Sequence, residues 1–114
     1  LMAEELRRIV LSTPPTPHWK YLGDIGTLVR KYIAARYHIP VEHIGGSGKQ
    51  FVNDISNHIP DTCTGPLRTI LETIDNAIAL ELETYPDFAK LRADITTLID
   101  LTARQNEHEV KNYS

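Results

Sequence analysis

Pro66-Leu67-Arg68-Thr69-Ile70-Leu71-Glu72-Thr73-Ile74-Asp75-Asn76-Ala77-Ile78 is the stretch that decides the fold. Its apolar residues, Leu67, Ile70, Leu71, Ile74, Ala77 and Ile78, recur at spacings of three and four, so they share one side of a helix. Proline suits the first helical position, where its missing amide would find no partner anyway. The pattern predicts a helix from Pro66 to about Tyr85, preceded by a turn over Asp61–Gly65.

Downstream, Pro86 opens a fifth helix with Asp87 near its positive end. Phe88, Leu91, Ile95, Leu98 and Thr102 form its inner face, with Ile99 and Leu101 beside it. Beyond Ala103 the residues are polar, so 104–114 reads as an exposed or frayed tail. Upstream, Ser47-Gly48-Lys49-Gln50 has the form of a capping box, in which Ser47 and Gln50 bond each other's amides. It starts a short helix, Gly48 to Asn57, that buries Phe51, Val52 and Ile55 and is closed by Pro60. Before it, His18 to Tyr37 carries Tyr21, Ile25, Leu28, Tyr32 and Ala35 at helical spacing, widened by Leu22, Val29 and Ile33. Gly23 and Gly26 each weaken this helix by roughly 1 kcal/mol and offer room for the close approach of another. Pro40 ends it.

The first helix, residues 1–11, has the short stripe Leu6, Ile9, Val10. Residues 12–17, Ser-Thr-Pro-Pro-Thr-Pro, form a semi-rigid connector. That helix is therefore either loosely attached or laid against the domain from outside. No segment alternates as a strand would, and no Asn-Gly or Asp-Gly hairpin signal occurs. The expected fold is all-α, a compact bundle of four to five helices with its body at 18–103.

Composition fits one domain. The chain has 114 residues, 41% of them hydrophobic and 24% charged, enough for one core. No apolar run reaches the roughly 20 residues of a bilayer span. Leu1 is not a usual initiator; either Met2 serves as one, or the chain is a piece excised from a longer protein, the reading favoured here. The net charge of −3 argues against a dedicated nucleic-acid binder. It is unevenly placed, with seven Lys/Arg against five Asp/Glu in residues 1–60 and five against ten in 61–114. The halves attract one another, or the acidic half faces a basic partner; the first reading is the plainer one.

Three constellations suggest chemistry, and each has a plainer reading. Gly45-Gly46-Ser47-Gly48-Lys49 resembles a phosphate loop, but that motif needs a glycine where His43 stands and a Ser or Thr where Gln50 stands. An exposed loop and helix cap account for the same residues, leaving Ser47, Gly48 and Lys49 as a weak anion-binding candidate. His38, His43, His58 and Cys63 lie near expected helix ends without a metal-ligand spacing. Cys63 reads as a small, partly buried turn residue, and His18 and His108 have no ligand neighbours. The carboxylates Glu81, Glu83, Asp94 and Asp100 read as salt-bridged helix surface. Nothing here points to catalysis or to a cofactor. Arg30, Lys31, Arg36 and Tyr37 remain as a possible interaction surface for an acidic partner.

One segment adds a resemblance. Tyr21-Leu22, followed by Leu28-Val29-Arg30-Lys31-Tyr32-Ile33-Ala34-Ala35-Arg36-Tyr37-His38-Ile39-Pro40, resembles the LRRYLAARFGIP signature. That signature marks the cytoplasmic helical tails of BatD-like bacterial membrane proteins and their relatives. The order of elements over residues 3–102 is similar too. Ahead of the third helix, where such tails often carry Leu-Thr, this chain has Ile44-Gly45-Gly46-Ser47. The resemblance implies a non-catalytic interaction or scaffold domain on the cytoplasmic side of the bacterial inner membrane. It would be anchored only through a transmembrane segment outside this chain. The implied partners are MoxR-type AAA ATPases and von Willebrand A-domain proteins, and no catalytic residue comes with the family.

Overall fold

Five helices follow one another in the computed structural model: α1 (Met2–Leu11), α2 (His18–Tyr37), α3 (Gly48–Ile55), α4 (Asp61–Ala79) and α5 (Phe88–Tyr113). The structure describes residues 2–40, 42 and 44–113, with side chains described for all of these except Met2 and 104–113. The fold is all-α, and no strand occurs among the described residues.

α4 is the hub. α2, α3 and α5 each pack against it, while α1 lies on α2 and α5. This explains why its stripe is the clearest in the chain. Leu67, Ile70, Leu71, Ile74 and Ala77 are buried on α4, meeting Phe51, Val52 and Ile55 from α3 and Leu91, Ile95, Leu98 and Ile99 from α5. Each large aliphatic so buried contributes about 1.5–3 kcal/mol relative to exposure. The two glycines of α2 face this hub. A β-carbon at Gly26 would stand 3.3 Å from Ile74 Cγ2, and one at Gly23 would stand 3.7 Å from Ile78 Cδ1.

The inner face of α2 is rotated from the expected one. Leu22, Ile25, Val29, Tyr32, Ile33 and Ala34 are buried, Tyr21 and Leu28 are half-buried, and Ala35 is exposed. α2 is covered by α1 on one side and α4 on the other, so its buried arc is centred between the two. At its inner end the Tyr32 hydroxyl meets Thr102 Oγ1, and Thr102 donates in turn to the Ile99 carbonyl at 2.8 Å. A buried threonine hydroxyl thus has both a donor and an acceptor partner.

Both ends of α4 differ from expectation, and α3 stops at Ile55 rather than Asn57. α4 begins at Asp61, so Asp61–Gly65 is helix rather than turn, and Pro66 lies inside the helix. The boundary is Pro60, in extended geometry, whose carbonyl accepts the Cys63 amide at 3.0 Å. Cys63 is accordingly fully buried on the helix, not partly buried in a turn. α4 also stops at Ala79, well short of Tyr85. Glu81 turns left-handed at φ 47, and the Leu82 amide reaches back to the Ala77 carbonyl at 3.1 Å. α2 ends by the same device: His38 has φ 57, and the Ile39 amide bonds the Ala34 carbonyl at 2.9 Å. Glycine usually takes that position because it has no β-carbon to clash. Here Glu81 and His38 take it, so neither stop is marked in the sequence.

α1 is held from outside by its last carbonyls. Arg92 donates from Nε to Val10 (2.7 Å) and from Nη2 to Ser12 (3.2 Å), and the Tyr21 hydroxyl donates to Ile9 (2.6 Å). Leu6 and Val10 are buried beneath it. The C-terminal carbonyls that a helix leaves orphaned are thus satisfied by α2 and α5. α5 begins at Phe88, two residues after Pro86, which therefore lies outside the helix instead of opening it, and Asp87 caps it: its Oδ1 accepts the Lys90 amide at 3.3 Å. The backbone of α5 continues as helix to Tyr113; the exposure expected for 104–114 lies outside the described side chains.

Candidate functional site

The loop before α3 is organised by two charged side chains from other helices. Arg30, on α2, donates from Nη1 to the carbonyls of Ile44 (3.1 Å) and Gly46 (2.7 Å). Its guanidinium lies 5.6 Å over the Phe51 ring, and its buried Nε has no hydrogen-bond partner among the described residues. Asp75, on α4, accepts the Gly48 amide at 2.6 Å through Oδ2, while its Oδ1 stands 3.8 Å from Arg30 Nη2. A helix N-terminus favours a negative charge through its free amides and its dipole. In this domain the negative charge comes from within the chain.

This geometry changes the meaning of the Ser47, Gly48 and Lys49 candidate. Gly48 is buried, and its amide is engaged by Asp75. A β-carbon there would stand 2.6 Å from Leu71 Cβ, so the glycine is required for α3 to reach α4. Ser47 caps α3, its hydroxyl accepting the Gln50 amide at 3.1 Å. Gln50 is exposed and returns no hydrogen bond to Ser47, so only half of the expected box forms. Lys49 points to solvent. Ser47→Ala should cost about 1 kcal/mol in urea denaturation; an unchanged midpoint would show that the cap is inert.

The four residues of the possible interaction surface do not share one face. Arg30 is committed to the loop, with its side chain only 15% exposed. Lys31 is exposed. Arg36 stacks 4.8 Å from the Tyr37 ring, and its Nε donates to the Thr102 carbonyl at 3.4 Å. Tyr37 is half-buried, its hydroxyl 3.8 Å from Cys63 Sγ. Burial, and then the neighbouring Cys63 thiol, push the Tyr37 hydroxyl well above the ordinary tyrosine value.

The remaining candidates do not converge. Among the described residues no group of three His, Cys, Asp or Glu side chains could hold a metal; His43 and His108 lie outside the described side chains. His38 and His58 are exposed while Cys63 is buried. Asp94 pairs with Lys90 (2.9 Å) and Asp100 with Arg7 (2.6 Å), as expected of helix surface. Arg7–Asp100 and Arg30–Asp75 each join the basic half of the sequence to the acidic half. A cleft of about 260 Å³ between α4 and α5 is lined by Pro66, Thr69, Asp94 and Thr97. Small-molecule sites are usually apolar and about 300 Å³ or larger.

Sequence reasoning missed Asp75, the centre of this arrangement. It sits one residue past Ile74, at the edge of the apolar stripe. Only the packing of α3 across α4 shows which exposed-looking acid faces a helix terminus. No described helix is long and apolar enough to cross a membrane. Comparison with protein families, curated proteins and solved structures finds no match for this chain.

Proposed function

We propose that this domain is a non-catalytic interaction module, the cytoplasmic part of a bacterial membrane-anchored protein that works with an AAA ATPase or a von Willebrand A-domain partner. The observation that carries this reading is the outward stripe of α2. Lys20, Asp24, Thr27, Lys31 and Ala35 are all exposed at spacings of three and four, over roughly 22 Å of helix, and the exposed His38 that caps the helix follows them. Lys31, Ala35 and His38 belong to the segment that resembles the BatD-like tails. Arg30, by contrast, serves the loop, so the recognition surface shifts from the original four residues to this stripe, with Lys31 retained.

Mixing the purified domain with a MoxR-type ATPase and with a von Willebrand A domain tests the proposal. We expect saturable binding by calorimetry to at least one of them. Lys31→Glu and Ala35→Arg should each weaken it about tenfold or more, the 1.4 kcal/mol of a displaced contact, without changing the melting temperature. Equal affinity for wild type and both variants would exclude the stripe. No binding to either protein at high micromolar concentration would exclude the partner class.

A further inference from the structure

The exposed line of α2 carries charges in a self-complementary order. Lys20, Asp24, Thr27, Lys31 and Ala35 share that line because steps of three and four residues return to nearly the same angle of a helix. The midpoint between Asp24 and Lys31 falls between Thr27 and Leu28, and Lys20 and Ala35 have the same midpoint. Among the described residues, neither Asp24 nor Lys31 takes part in an ion pair. On α1 and α5, by contrast, Arg7 is paired with Asp100 and Lys90 with Asp94.

The middle of the line suits contact with another helix. Thr27 donates its hydroxyl to the Gly23 carbonyl at 3.2 Å, so it can enter an interface without leaving that donor unpaired. Leu28 is half-buried beside it, and Gly23 and Ala35 add little bulk. Small residues at a crossing point let a second helix come close.

A second α2, laid antiparallel across a twofold axis at that midpoint, brings its Lys31 to Asp24 and its Asp24 to Lys31. Each Lys20 then meets Ala35 of the other copy, its aliphatic stem covering the methyl while its ammonium stays in water. A parallel arrangement would set Lys20, Asp24 and Lys31 each against its own kind, and like charges so placed oppose it.

We propose that α2 pairs with α2 of a second copy of this chain, as an antiparallel dimer held by two Asp24–Lys31 contacts around Thr27. One helix face is smaller than the roughly 800 Å² per partner of a standard interface, so the dimer is weak and reversible. It shares its stripe with the proposed function but needs no ATPase or A-domain protein, so either can fail without the other. While two copies are paired, the stripe is closed to any other protein, and binding there must first separate them.

Sedimentation equilibrium of the whole chain, alone and at protein concentrations up to about 1 mM, tests the dimer. In about 50 mM salt, where exposed charges are little screened, the wild-type mass should rise with concentration towards that of two chains. Raising the salt to about 0.5 M should weaken association about fivefold or more. Asp24→Lys and Lys31→Asp each set like charges together at both ends of the contact, and each should weaken it about tenfold or more. The double variant Asp24→Lys/Lys31→Asp exchanges the charges and should return to within about threefold of wild type. Wild type that stays monomeric or associates regardless of salt, single variants that dimerise as well as wild type, or a double variant as weak as the singles would each overturn the proposal. Both positions are exposed, so the helical circular dichroism should not change; if a variant does unfold, the wild-type concentration and salt series decides.

Discussion

Ile74→Asp leaves the domain unfolded at room temperature. Ile74 is 2% exposed on the hub helix and faces the place where α2 comes closest, at Gly26. Removing the aliphatic side chain forfeits about 2–5 kcal/mol. The carboxylate that replaces it lies among apolar groups without a partner, which adds a further cost of several kcal/mol. Together these approach the whole stability of a small domain, about 5–15 kcal/mol. Far-UV circular dichroism with urea denaturation measures the effect, with Ile74→Val, expected to lose about 1 kcal/mol, as the conservative control. A cooperative, wild-type-like transition in Ile74→Asp would mean that this face of α4 is not the inner one.

Gly48→Ala should be the next most damaging single change, although it adds only a methyl group. That group would stand 2.6 Å from Leu71 Cβ and 3.1 Å from the Leu71 carbonyl carbon. Neither atom can swing aside as the end of a long side chain can. α3 would have to back away from α4, stretching the bond between the Gly48 amide and Asp75. Overpacking and the weakened charged hydrogen bond together should cost about 2–4 kcal/mol. Gly26→Ala provides the contrast. Its new β-carbon meets Ile74 Cγ2 at 3.3 Å, a clash of a few tenths of an ångström, and it gains about 1 kcal/mol of helix propensity. Its net effect should be small. Urea midpoints for the two variants that moved together would contradict the packing distances described.

The fold was legible because nearly every helix carries its own one-sided stripe. α1 and α2 have the bounds that Leu6–Val10, the proline connector and Pro40 suggest, and the inner residues of α3 and α5 are those their spacing selects. The errors have identifiable causes. The ends of α4 were misplaced because Pro66 looks like a helix start, whereas Pro60 is the start. Its C-terminal stop rests on a left-handed Glu81 that no glycine signals. The inner face of α2 was rotated because its covering helices, α1 and α4, are not its sequence neighbours on both sides. The loop was the least legible part. Arg30 looked like surface charge and Asp75 like helix surface, since Arg30 meets the carbonyls of Ile44 and Gly46, 14 and 16 residues away, and Asp75 meets the Gly48 amide, 27 residues away. Glycine at 48 resembled a phosphate cradle, and the structure gives it a different reason: the space is taken by Leu71 and the amide by Asp75.

The central point, that the loop's anion is an internal carboxylate, is tested most directly by the Gly48 amide in an NMR spectrum. A charge-assisted bond of 2.6 Å should move that proton far downfield. Asp75→Ala should return it to the ordinary amide region, whereas inorganic phosphate added to the wild-type domain should leave it where it is. A Gly48 amide that ignores Asp75→Ala, yet shifts and saturates with phosphate in wild type, would make the loop a ligand site and contradict the account.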